Sequence, residues 1–360
     1  MFTTLHRQGV KLWGGPSFQL LGRFAHIGVK RIDFSPDERY LVTFERIVIP
    51  ENASRGPQFL GPDNEGDYIA IWDIKTGLLM RTFPRILSVG EDENLSKQVV
   101  WPAMKWSLDG KYVARVTPEQ QISVYSLPDF GLVDKKSIKI DGVVDFEWCP
   151  IGDKDREEDA KDANAGKPKK VRESMLAYWT PEIGNQPARV TIMSFPSRAT
   201  LRSKNLFNVS DVSSFFILTH TFSIVDYLQC KLFWQNQGDY LCVKVDRHTK
   251  TKKSIFCNLE IVHLREKDYP VEVVEPKGWS WLSSHFNEGS DVVRSDTVIE
   301  FAWEPKGDRF IITSTNDPNF GSTAPGSPIK TEVHFYQLDK SRDDFRPLST
   351  SSGRPSLTAY

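Results

Sequence analysis

An all-β chain, built as an incomplete β-propeller of four-stranded antiparallel blades, is the fold this sequence predicts, and three observations predict it. One phrase recurs five times along the 360 residues: a bulky aromatic, a short turn signal and an apolar run, beginning at Phe34, Trp106, Trp148, Trp234 and Trp303. A short apolar approach precedes each aromatic and an alternating strand follows each hairpin, so a unit holds about four short strands, the content of one blade. The key aromatics stand 72, 42, 86 and 69 residues apart. A simple blade repeats every 40–45 residues or roughly so, which leaves one clean interval and insertions in the others.

The elements follow in chain order. Residues ahead of Phe34, including "VKLWGG" and "FQLLGRF", supply a leading partial blade. "FSPDERYLVT" then reverses through Ser-Pro-Asp, whose residues supply the φ values of a tight turn. Residues 45–67, "ERIVIPENASRGPQFLGPDNEGD", read as a loop excursion that explains much of the first long interval. Ile69, Ile71, Trp72 and Ile74 stand too close together for a half-exposed strand and predict one covered on both faces by neighbouring blades. Asp73 beside Trp72 is expected to hold a turn by hydrogen bonding. "WSLDGKYVAR" repeats the hairpin with Asp-Gly at its tip, and "WCPIGD" begins a third copy that breaks after Gly152. Residues 153–173 are charged and contain Gly and Pro, which predicts a solvated excursion. Its basic end, Lys167, Lys169, Lys170 and Arg172, is a candidate contact for RNA or an acidic partner, as are Lys250, Lys252 and Lys253. A solvated loop is the plainer reading of the first group. "WQNQGDYLCVKV" and "WEPKGDRFIITS" complete the series. Phe34, Trp72, Trp106, Trp148, Trp234 and Trp303 are expected to pack between blades, so they mark a fold and not a site.

Composition and motifs exclude several functions. A formal net charge of −1 gives no global attraction to nucleic acid, so such contact must come from a local patch. The N-terminus shows no basic region followed by an apolar run and cleavage site, which predicts a cytoplasmic chain. Cys149, Cys230, Cys242 and Cys257 form no C-x-x-C pair and read as buried small hydrophobes. The seven histidines are scattered without metal-ligand spacing, and Gly166-Lys167 lacks the flanking residues of a phosphate loop. No catalytic residue, cofactor, metal or small-molecule substrate is expected. The apolar stretch Val212–Gln229 is interrupted by Ser213, Ser214, Thr219, His220, Ser223 and Asp226, which argues against a membrane span.

The wording of several phrases goes further than a generic blade. "GVKLWGGPSFQLLGRFAHIGVKRIDFSPDERYLVTF", "AIWDIKTG", "LVDKKSIKI", "PARVTIMSFPSR", "KNLFNVSD", "GDYLCVKVDR" and "FAWEPKGDRF" closely resemble the B-subunit family of eukaryotic translation initiation factor 3, from about Leu5 to Leu338. The resemblance implies a WD40-like β-propeller, nine-bladed in that family, within a non-enzymatic scaffold. Such a scaffold binds other subunits of the factor 3 complex and the small ribosomal subunit, with mRNA or rRNA as further partners. It places an RNA-recognition domain and a C-terminal docking segment outside this chain. About five blades plus the leading partial one are expected, an open fan whose end strands invite foreign pairing.

Against the family pattern, 212–229 and 278–295 look foreign, as translated introns or gene-model errors would, because each separates phrases that should be contiguous. Residues 1–340 are thus expected to form the partial propeller and 341–360 a disordered or aberrant tail. The alternatives are the propeller of a related initiation factor 2A-like protein, a generic WD40 interaction scaffold and a non-functional truncated product. A propeller joined to a hydrolase needs an α/β catalytic domain, and no part of the sequence reads as one.

Overall fold

A computed structural model describes residues 1–51, 56–85, 101–117, 121–152, 173–182, 186–206, 224–249, 255–274, 297–315, 331–339 and 344–353. The chain divides into two compact units, Met1–Val143 and Val144–Tyr360.

The first unit holds three antiparallel sheets. One has three strands, β1 (Phe2–His6), β2 (Gly9–Gly14) and β3 (Gln19–Phe24). The second has four, β4 (Arg31–Phe34), β5 (Tyr40–Phe44), β6 (Ile69–Asp73) and β7 (Leu79–Phe83). The third is β8 (Lys105–Trp106), β9 (Tyr112–Thr117), β10 (Gln121–Ser126) and β11 (Ile138–Lys139). In each, strands that follow one another in sequence lie side by side.

The second unit repeats that meander in three four-stranded sheets. They are β12 (Asp145–Trp148) to β15 (Thr200–Asn205) through β13 (Ser174–Thr180) and β14 (Arg189–Phe195), and β16 (Ile224–Trp234) to β19 (Val271–Val274) through β17 (Tyr240–Thr249) and β18 (Ile255–His263). The last is β20 (Thr297–Trp303), β21 (Arg309–Thr315), β22 (Thr331–Asp339) and β23 (Asp344–Gly353). Five four-stranded blades and one three-stranded sheet thus stand where the repeat predicts them. Phe34, Trp106, Trp148, Trp234 and Trp303 each end the first strand of a blade.

Apolar side chains are gathered between successive sheets, which is why the strands read as near-continuous hydrophobic runs. All five residues of β6 are buried. Val10, Leu12, Phe24, Leu41 and Trp72 join the first two sheets, and Val42, Ile71, Phe83, Val113 and Tyr125 join the second and third. In the second unit, Ile192, Val190, Val243 and Val262 fill one such layer, and Cys242, Ile261, Phe301 and Ile312 the next.

Two boundaries differ from the sequence expectation. Residues 224–229, read as part of a foreign segment, continue β16, with Tyr227, Leu228 and Gln229 opposite His248, Arg247 and Asp246. The ladder extends because β17 runs equally far and its backbone donors and acceptors need partners. Residues 344–353, read as tail, form β23 along β22, from Asp339↔Asp344 to Thr331↔Gly353. A blade whose third strand is long and unpaired on one side takes up the chain that follows it. Residues 207–223 and 278–295 lie outside the described residues, as does 153–172.

Candidate interaction surface

The turns that join the first two strands of the second, third and fifth blades are built by one device with interchangeable parts. Ser35 Oγ donates to Asp37 Oδ1 (2.6 Å) and accepts from the Tyr40 amide (2.9 Å); Ser107 does the same with Asp109 (2.5 Å) and Tyr112 (2.9 Å). In the fifth blade the single amide of Gln235 replaces both side chains, accepting from the Gln237 and Asp239 backbones. The fourth position of the turn is left-handed, at Glu38 (φ 56°), Gly110 (φ 68°) and Gly238 (φ 70°).

Within the second unit these turns interlock. Gln235 Nε2 donates to the Gly307 carbonyl and Asn236 Nδ2 to that of Pro305, while Gly238 lies so close to the Pro150 carbonyl that a Cβ would stand 2.6 Å from it. The recurring tryptophans add a second row: Trp303 Nε1 donates to the Phe233 carbonyl (2.9 Å) and Trp234 Nε1 to that of Glu147 (3.2 Å), each reaching the preceding blade. Trp106 lies flat on Tyr40, 5.6 Å between centroids, but its Nε1 is buried with no hydrogen-bond partner. Trp148 packs edge-on against Phe195.

Trp72 and Asp73 hold the second blade. Trp72 Nε1 donates to Thr43 Oγ1 (3.0 Å), and His26 Nδ1 lies 2.8 Å from the same oxygen. His26 Nε2 faces the Glu45 carbonyl at 3.0 Å, which can only accept, so Nε2 carries the proton and Nδ1 accepts from the Thr43 hydroxyl. Burial lowers the His26 pKa to about 4 and keeps the ring neutral. Asp73 Oδ1 accepts from the Thr76 amide (2.9 Å) and hydroxyl (3.0 Å), and Arg39 stands 3.6 Å from its other oxygen. Burial pushes this carboxyl up, and those donors outweigh it to leave it below the ordinary value.

The four cysteines are buried and unbridged, and burial raises the thiols of Cys230, Cys242 and Cys257, which keeps them protonated and inert. Among the described residues no three His, Cys, Asp or Glu side chains gather as metal ligands, and no helix is long and apolar enough to cross a membrane. Lys167, Lys169, Lys170, Arg172, Lys250, Lys252 and Lys253 lie outside the described residues.

Cations that the sequence scatters are brought together elsewhere, between the second and third blades. Arg81 stands 5.1 Å from the ring centroids of both Phe83 and Tyr125, and Arg115 stands 4.6 Å from that of Phe83. Arg85 covers Tyr68 (5.4 Å) and Arg31 covers Trp101 (5.9 Å). Arg31, Arg81, Arg85 and Arg115 carry no motif in one dimension; the only one-dimensional signal is that Arg81, Arg85 and Arg115 sit in or beside strands expected to be apolar.

The B subunit of eukaryotic translation initiation factor 3 from Mycosarcoma maydis is 52% identical over 361 residues, which cover 99% of this chain and 43% of the relative. That of Schizosaccharomyces pombe is 46% identical over 344 residues, covering 94% of this chain and 40% of the relative. This chain belongs to the B-subunit family of eukaryotic translation initiation factor 3.

The chain spans less than half the length of these B-subunit relatives. The profile of a second family, eukaryotic translation initiation factor eIF2A, matches residues 222–322, which include strands of the fifth and sixth blades. Its reach is that of a shared propeller segment, whereas the B-subunit match runs through every blade. A solved structure described as a eukaryotic initiation factor superposes with a TM-score of 0.52 at 15% identity, over 98% of this chain and 74% of its own, which speaks to the fold alone.

Proposed function

We propose that this chain serves, within the longer B subunit, as a non-enzymatic scaffold of the eukaryotic translation initiation factor 3 complex. In that role it supports assembly of the preinitiation complex on the small ribosomal subunit and recruitment of mRNA in the cytoplasm. The observation that carries the reading is 52% identity sustained over 99% of the chain with a named B subunit of that factor. The fold supports it: rigid sheets hold loops at their ends as docking points, and the polar groups of the described turns are consumed by the turns themselves. The partners proposed are other subunits of the complex, the small ribosomal subunit and its RNA or mRNA. Lys167, Lys169, Lys170, Arg172, Lys250, Lys252 and Lys253 are proposed secondary contacts for RNA or an acidic partner.

Affinity purification of the full-length gene product tests the reading. Co-recovery of factor 3 subunits and small-subunit ribosomal proteins is expected, and a pull-down lacking both groups would overturn it.

A further inference from the structure

In the fifth blade the turn between β18 and β19 folds over a buried histidine whose two ring nitrogens both face carboxylates. His263 ends β18 and is only 4% exposed. Its Nδ1 lies 2.7 Å from Glu266 Oε1, three residues on in the turn, and its Nε2 lies 3.4 Å from Glu272 Oε2 on β19. An ionised carboxylate can only accept, and a neutral imidazole carries a single N–H. The arrangement is therefore complete only when both ring nitrogens are protonated. Around the ring, β19 supplies Glu272, the turn supplies Glu266 with the exposed Arg265, Lys267 and Asp268 further out, and β17 supplies Tyr240, whose ring meets the imidazole edge-on at 5.2 Å. Trp303 of β20 stacks behind Tyr240 at 6.0 Å.

The turn under this clasp is strained and leans on a second turn. Asp268 (φ 65°) and Tyr269 (φ 48°) are consecutive left-handed residues without being glycine, a conformation that persists only where its surroundings impose it. The His263 amide donates to the Pro270 carbonyl (2.9 Å) and closes the loop at its base. Further along, the Leu264 amide donates to the Asp239 carbonyl (2.9 Å) and Arg265 Nε to Asp239 Oδ1. Asp239 belongs to the turn that carries Gln235 and Asn236 onto the Gly307 and Pro305 carbonyls of the sixth blade. The imidazole thus stands at one end of a continuous set of contacts from blade to blade.

We propose that His263, Glu266 and Glu272 form a proton-operated latch, which holds residues 264–270 against the turn at 235–239 and lets them open, with the blade still folded, when the ring gives up one proton to solvent. The single N–H that remains serves one carboxylate and turns a lone pair toward the other, so the clasp loses one side. The bond to Glu272, with that to Glu266, raises the ring's pKa above 6.5 against the opposite pull of burial. The latch is accordingly closed below that raised value and opens as the pH rises through it.

Hydrogen–deuterium exchange of the full 360-residue chain, followed by mass spectrometry from about pH 6 to about pH 9 with labelling times scaled for intrinsic exchange, tests it. Protection of 264–270 is expected to fall by up to about tenfold per pH unit between the unfolded and folded pKa values of the ring. These amides should exchange ahead of those of Arg309–Thr315 at each pH, which separates opening of the turn from unfolding of the blades. His263→Gln is expected to leave the turn as loose at pH 6 as the wild type is at high pH. Glu272→Gln, whose amide can donate to a neutral ring, is expected to keep it protected across the range. A turn equally protected at all pH values in the wild type would overturn the latch. So would exchange of 264–270 in step with Arg309–Thr315, or an undiminished pH dependence in His263→Gln.

Discussion

The neutral ring of His26 shows how one buried side chain makes stability depend on pH. Its pKa in the fold is about 4, below the 6.5 of an unperturbed imidazole. The unfolded chain therefore binds a proton that the folded one refuses, and the contribution is full above pH 6.5 and lost as the pH falls from 6.5 through 4, up to about 3 kcal/mol. Urea titrations at pH 7 and pH 4.5 are expected to show the loss, and His26→Gln to flatten it. His263 has the opposite sign. It lies between Glu266 (2.7 Å) and Glu272 (3.4 Å), and its bond to Glu272 heads the causes that raise its pKa. Its contribution is complete below the unfolded pKa and declines as the pH rises through the raised folded value. Melting curves across that window should therefore move in the wild type and stay still in His263→Gln.

At the scale of the element, the same turn and the same tryptophan recur in different surroundings, so equal substitutions should have unequal effects. Trp303→Phe breaks a bond to the Phe233 carbonyl, whereas Trp106→Phe removes a buried donor that has no partner. The first is expected to cost about 1–2 kcal/mol more than the second, read from chemical denaturation. Gly110 and Gly238 hold equivalent left-handed positions, but only Gly238 faces a neighbouring backbone, at 2.6 Å from a built Cβ. Gly110→Ala carries conformational strain alone, about 1 kcal/mol. Gly238→Ala adds a clash with the Pro150 carbonyl and is expected to cost at least twice as much by the same assay; equal losses would mean that the turns do not interlock.

For the whole molecule, the four buried thiols offer a test of global packing. Cys230 packs in one apolar layer of the second unit, Cys242 and Cys257 in the next, and Cys149 beside the turn at Gly238. A thiol reagent is expected to label none of the four in native buffer and all of them in denaturant, and fast native labelling would show that these layers are open. Both units follow one plan, a short meander closed against the next by apolar residues, and the plan was legible from spacing because each blade must contain a strand end, a tight turn and a strand covered on both faces. Trp72 in a run of buried residues and the turn residues at Ser35 and Ser107 announced themselves this way.

What the sequence determined by itself was therefore the local repeat, the family wording and the expectation that aromatics serve packing, because these depend on neighbours a few residues apart. It misjudged 344–353, since a fourth strand is chosen by the open edge beside it and not by its own propensity. The gathering of arginines on the aromatic rings between the second and third blades was beyond its reach for the same reason. Arg81 and Arg115 lie in separate blades and meet over the Phe83 ring only when two sheets pack face to face, so the proximity of their charges is a property of the tertiary structure alone.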